Sequence, residues 1–143
     1  MHTLAENRRA RLDYEIQDAF ESGIELLGLE VKSVRAGRMQ LQGSYVKIRD
    51  NEAWLVNAEI SPYQSRNTPP DYDPKRTRRL LLHHKETARL VGKLYEKGRL
   101  LIPLRAYLKR NLIKLELGLG RSRKKIDKRE ILKKRAALRD IRR

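Results

Sequence analysis

SYVKIRDNEAWLVNAEI, residues 44–60, carries the fold. Val46 and Ile48 alternate with polar residues, Asp50-Asn51 supplies a two-residue turn, and Trp54, Val56, Ala58 and Ile60 alternate on the way back. Period-two apolar runs on both sides of such a pair predict an antiparallel hairpin with one buried face. LLIPLRAYLKRNLIKLELGLG, residues 100–120, predicts a second hairpin turning near Arg110-Asn111, with Ile113, Leu115, Leu117 and Leu119 alternating against Lys114 and Glu116. RLDYEIQDAFESGIELLG, residues 11–28, reads as another strand, bulged near Gly23, with Tyr14, Ile16, Ile24 and Leu26 facing inward. Several short antiparallel strands in a small chain predict a closed or nearly closed β-barrel, because curling hides the sheet edges.

Two short helices punctuate the strands. LEVKSVRAG, residues 29–37, fits two turns ending at Gly37; Val31 and Val34 share a face and leave Glu30, Lys32 and Arg35 to solvent or a partner. In LLLHHKETARLVGKLYEKG, residues 80–98, Leu90, Val91, Leu94 and Tyr95 form a helical stripe that Gly98 stops. SPYQSRNTPPDYDPKRTR, residues 61–78, holds four of the five prolines and reads as a surface loop, with Tyr63 and Tyr72 as local base-stackers.

Charge divides the chain of 143 residues unequally. Of 34 Lys and Arg, 12 lie in residues 121–143 against three acids, so this tail holds +9 of the net +16. It is built mainly from helix formers yet has too narrow an apolar face for a core. A folded RNA-binding domain at 1–120 and a basic tail at 121–143, disordered when free and helical when bound, are therefore expected. Basic residues also cluster at Arg8, Arg9 and Arg11, at Lys75, Arg76, Arg78 and Arg79, and at Lys109-Arg110. Four such clusters favour a large polyanion, with shape and phosphate readout because aromatics are only 6%. No apolar run approaches the ~18 residues of a membrane span, and the amino-terminal residues show no secretory pattern, so a cytoplasmic protein is expected.

Catalytic signatures are scarce: no Walker A sequence, no HExxH and no Gly-x-Ser-x-Gly. His83 and His84 are adjacent and point apart, one expected inward and one solvated. No cysteine is present, and no metal or cofactor is expected. A ribonuclease with His83 as base and Lys85 as charge stabiliser remains one alternative, a basic ribosomal structural protein another. A membrane-surface tail is the weakest, because its stripe of Ile131, Leu138 and Ile141 lacks aromatic anchors.

GLEVKSVRAG, together with NRRARLDYEI before it, YDPKRTRRLLLHHKE in the middle and IDKRE in the tail, resembles the SsrA-binding protein (small protein B) family. The likeness runs in register from Asn7 to the C-terminus. It implies an OB-like antiparallel β-barrel with two to three short helices and no enzymatic activity. It further implies a monomer that binds the tRNA-like domain of transfer-messenger RNA (tmRNA) and, with elongation factor Tu carrying alanyl-tmRNA, enters stalled 70S ribosomes. The tail would then lie in the vacant messenger channel at the decoding centre. By the same likeness Asn7, Arg8, Arg9, Glu30, Lys32, Ser33, Arg35, Arg76 and Arg78 would contact tmRNA. Arg123, Lys124, Asp127, Lys128, Arg129, Lys133, Lys134 and Arg135 would serve the ribosome. The chain departs from the family pattern at Ile126, where an aromatic residue or histidine is common.

Overall fold

The computed structural model describes residues 2–94, 96 and 98–142. Among them run strands β1 His2–Glu6, β2 Tyr14–Ile24, β3 Met39–Gln40, β4 Tyr45–Arg49, β5 Glu52–Val56, β6 Glu59–Ile60, β7 Arg78–Leu81, β8 Arg99–Lys109 and β9 Leu112–Ser122. The α-helices are α1 Ala10–Asp13, α2 Gly28–Arg35, α3 His84–Leu94 and α4 Lys125–Arg142. Seven strands form one antiparallel sheet in the order β1-β8-β9-β2-β7-β5-β4, and β3 pairs with β6 separately. The fold is thus mostly β, as expected, but the sheet is open rather than closed into a barrel. The reason lies in the first residues, to which the sequence pattern assigns no strand: they form β1, which takes the free edge of β8 from His2↔Leu108 to Glu6↔Arg105. The sheet curls until β4 comes within 8 Å of β8, Cα to Cα, without exchanging ladder bonds with it. Four helices replace the expected two or three, because the tail contributes the 18-residue α4.

Both hairpins turn where the sequence places them. Asp50-Asn51 and Arg110-Asn111 all have positive φ (52°, 61°, 52° and 63°), the two-residue geometry whose twist matches that of the flanking strands. Such a turn dictates register: Arg49 faces Glu52, so Val46 faces Leu55 and Ile48 faces Ala53. Leu55 and Ala53 therefore enter the core, and the expected inward pair Trp54 and Val56 lies on the other face. Asn57, at φ 66°, then inserts one residue of different backbone conformation, and Ala58 and Ile60 return to the core. Leu115, Leu117 and Leu119 of β9 are buried in the predicted alternation. The bulge in β2 falls between Ile16 and Asp18, not near Gly23; at Gly23 the strand instead pairs with both β9 and β7.

α2 ends as its sequence demands. Gly37 (φ 78°) follows the helix; its N–H donates to the Val34 carbonyl, and the Arg38 N–H donates to the Ser33 carbonyl, closing both last-turn acceptors. In α3 Leu90 is buried with Val91 and Leu94 beside it, whereas Tyr95 lies outside the described residues. His83 and His84 are both exposed, against the expectation that one turns inward, because Thr87 and Leu90 occupy the buried face of α3.

β9 passes β2 at a contact only glycine allows. A Cβ on Gly120 would overlap the backbone carbonyl of Glu15, and that strand has no freedom to retreat. Gly120→Ala is expected to destabilise the protein by about 1–3 kcal/mol through this overpacking, measurable as a lower denaturant midpoint with unchanged m. The same substitution at Gly92, whose Cβ would meet nothing, is expected to stabilise slightly or change nothing.

Candidate RNA-binding surface

Glu30 stands in the first turn of α2, where its carboxylate accepts the Leu27 N–H at 2.8 Å in place of a side-chain cap. The helix then carries that carboxylate into the interior, where Glu30 is wholly buried, as is Arg78 at the start of β7. Arg78 Nε donates to Glu30 at 2.8 Å, Nη1 to the carbonyls of Ala58 (2.8 Å) and Arg76 (3.1 Å), and Nη2 to the Pro74 carbonyl (3.0 Å) and Tyr72 Oη (3.3 Å). All five donors of the guanidinium are thereby satisfied. Arg76 adds two bonds to the same carboxylate, at 3.1 and 2.5 Å, and Tyr72 donates to the Ile60 carbonyl at 2.8 Å. Burial by itself pushes the Glu30 carboxyl up. The hydrogen bonds from Arg76, the Leu27 N–H and Arg78 outweigh it and hold the group below its ordinary value. Burial, then the Glu30 charge, pushes the Tyr72 phenol up.

The family likeness assigns Glu30, Ser33 and Arg78 to RNA, and the structure gives none of them any exposed surface. The physical reason is the clamp itself: the charges of this element neutralise one another inside the fold. Ser33 is buried with its hydroxyl unpartnered among the described residues. The proline loop, expected on the surface, turns inward in its second half to deliver Tyr72, Arg76 and Arg78. Tyr72 is thereby occupied, whereas Tyr63 is 40% exposed under the Arg38 guanidinium. Asn7 is also buried; its Nδ2 donates to the carbonyls of Pro103 (3.0 Å) and Leu41 (3.4 Å), tying the end of β1 to the sheet.

Lys32 and Arg35 emerge on the exposed side of α2. Arg35 donates to the Asn111 carbonyl at 3.1 Å, which sets the last turn of α2 beside the basic tip of the β8–β9 hairpin. Arg8 and Arg9 are exposed around α1. The tail leaves along that same helix: the Arg123 N–H donates to the Asp13 carbonyl (2.8 Å), Arg123 Nε to the Arg11 carbonyl (3.1 Å), and Lys128 pairs with the Asp13 carboxylate at 3.2 Å. Asp13 also holds Arg9 at 3.4 Å. Its carboxyl, raised by burial, is brought net below its ordinary value by Arg9 and Lys128. Beyond these contacts Arg8, Arg11, Arg105 and Arg135 line one groove of about 600 Å³, with Glu6 and Glu116 on its walls. Arg105 is the residue the sequence reading passed over. The register shift between Pro103 and Arg105 turns it outward onto the Tyr107 ring, 4.6 Å from the centroid. Lys124, Asp127, Arg129, Lys133, Lys134 and Arg135 are exposed. Asp127, in the first turn of α4, complements the helix dipole. Among the described residues no group of three or more His, Asp or Glu is placed to hold a metal ion.

Glu30→Gln leaves the buried Arg78 without a counter-charge and is expected to destabilise the fold by about 3–5 kcal/mol. The wild-type contribution has a defined pH window. The folded carboxyl titrates below the unfolded value of about 4.5, so the stabilisation is complete above that pH and is lost as pH falls through the depressed folded value. Denaturation curves between pH 7 and pH 3 are expected to converge for wild type and Glu30→Gln at the acid end.

The chain matches the family model described as SmpB protein over residues 4–143. It is 49% identical to the SsrA-binding protein of Trichormus variabilis and 50% identical to that of Nostoc punctiforme, in each case over 98% of this chain and 90% of the relative. The SsrA-binding protein of Synechococcus elongatus is 50% identical over 98% of this chain and 91% of its own. Among solved structures, a chain described as "tmRNA-SmpB: a journey to the center of the bacterial ribosome" superposes with a TM-score of 0.69 at 44% identity, covering 89% of this chain and 92% of that one. Fold, basic surface and sequence agree, and the chain belongs to the SmpB family of SsrA-binding proteins.

Proposed function

We propose that this chain is the tmRNA-binding protein of trans-translation, a non-enzymatic adaptor that carries tmRNA to stalled ribosomes. The observation that carries this reading is the buried Glu30–Arg78 clamp. It fixes α2 so that Lys32 and Arg35 point outward beside the hairpin tip, a rigid cationic ridge suited to the phosphates of a folded RNA. Arg8 and Arg9 extend the same chemistry around α1. Arg76, one-third exposed, supports the ridge through Glu30. Glu30, Ser33, Arg78 and Asn7 take part by holding the binding residues in place. The alternative of a ribonuclease finds no support at His83, which no described titratable partner orients. A ribosomal structural protein is disfavoured by family membership.

The tail acts as a second unit. Arg123, Lys124, Lys128, Arg129, Lys133, Lys134 and Arg135 meet ribosomal RNA phosphates in the messenger channel and decoding centre, with Asp127 orienting the helix through its dipole. Leu132, Leu138 and Ile141 are 48%, 55% and 80% exposed, so little beyond Arg123 and Lys128 anchors α4 to the body. A helix so weakly held depends on its surroundings, being disordered when free and fixed when bound. The protein works as a cytoplasmic monomer alongside elongation factor Tu bound to alanyl-tmRNA. No described helix is long and apolar enough to cross a membrane.

The test is affinity for the isolated tRNA-like domain. If about eight phosphates are neutralised, log affinity falls with log salt at a slope of roughly −5 to −7. Lys32→Ala with Arg35→Ala is expected to weaken binding about tenfold and flatten that slope by about two. An unchanged affinity would overturn the assignment of α2. Deleting residues 127–143 is expected to leave this affinity within about twofold and to abolish peptide tagging on ribosomes stalled without a stop codon.

A further inference from the structure

The outer face of the β4–β5 hairpin belongs to none of the surfaces above. The turn at Asp50-Asn51 that drives Leu55 inward also drives Tyr45, Lys47 and Arg49 of β4 and Trp54 of β5 outward. Register sets Lys47 directly opposite Trp54, with Arg79 of β7 on the other side of the indole. Tyr45, Lys47, Arg49 and Trp54 line a groove of about 530 Å³. Tyr45 is 43% exposed. Among the described residues Lys47 and Arg49 make no ion pair, whereas Arg79 is engaged by Glu52 at 2.9 Å. Asp50 is the other acid on the rim, so with Glu52 matched to Arg79 two unpaired cations stand against one acid on this face.

We propose that this face binds an unpaired RNA segment: bases stack on Trp54 and Tyr45 while neighbouring phosphates pair with Lys47 and Arg49. Two features select this occupant. The cations lie on one face of a strand two residues apart, about 6.8 Å along β4, which suits consecutive phosphates of an extended strand. Exposed rings beside unpaired cations are the arrangement that holds single-stranded nucleic acid without regard to sequence. This site is separate from α2, so RNA held at one leaves the other open.

Because the whole chain is strongly basic, bulk affinity cannot locate the site, but Trp54 is the only tryptophan and reports on it alone. The experiment titrates the full chain with hexa-adenylate, with inorganic polyphosphate and with hexa-glutamate, following tryptophan emission. Saturable quenching by hexa-adenylate is expected, with no change from polyphosphate or hexa-glutamate. Lys47→Ala with Arg49→Ala is expected to weaken the quenching about tenfold. Lys85→Ala with Arg89→Ala, equal in charge but elsewhere, is expected to leave it unchanged. Absence of saturable quenching, equal sensitivity to both double substitutions, or an equal response to polyphosphate would overturn the proposal. A response to hexa-glutamate in place of hexa-adenylate would overturn it in favour of an acidic protein partner.

Discussion

The ion pair between Glu30 and Arg78 is the constraint on which the rest of the structure depends. Two charges without solvent are costly, and they are tolerable here because every guanidinium donor and both carboxylate oxygens have partners. Those partners come from three separate places: Leu27 just before α2, Ala58 just before β6, and Tyr72, Pro74 and Arg76 of the proline loop. A hydrophobic contact in this position would tolerate sliding, whereas a fully bonded guanidinium fixes distance and direction together. α2 is thus docked in one orientation, its last turn closed by Gly37 and its Arg35 seated on the Asn111 carbonyl. The fold converts buried charge into the placement of exposed charge.

A similar economy operates where the chain ends meet. β1 seals the edge of β8, α1 follows it, and the tail departs along α1 through Arg123 and Lys128. Asp13 serves both sides, holding Arg9 of the amino-terminal segment and Lys128 of the tail. Positive charge therefore gathers at this confluence, where Arg8, Arg11, Arg105 and Arg135 share a groove. Such a field draws a polyanion toward α1 and the tail together, before any specific contact forms.

Local patterns in the sequence disclosed the local structure. Both hairpin turns, the Gly37 cap and the alternation of β9 follow from residues close in the chain, and all are found. The errors arise where a distant partner decides. Trp54 and Val56 look as apolar as Leu55; only the two-residue turn, which locks Val46 to Leu55, settles which set goes inward. Glu30 looks like an exposed acid because the arginines that bury it lie 46 and 48 positions away. The open sheet was illegible because the short segment that takes the edge of β8, His2–Glu6, has no alternating apolar run to mark it as a strand. Charge in a sequence announces itself, but whether it faces solvent or another charge is decided by tertiary pairing.

Function here comes down to which RNA the assembled surface selects. The most direct measurement is to recover the full-length protein from growing cells under native conditions and sequence the RNA bound to it. The prediction is strong enrichment of tmRNA over transfer RNA and over ribosomal RNA in its cellular proportion. Ribosomal RNA recovered in simple proportion to its abundance, with no enrichment of tmRNA, would contradict the account.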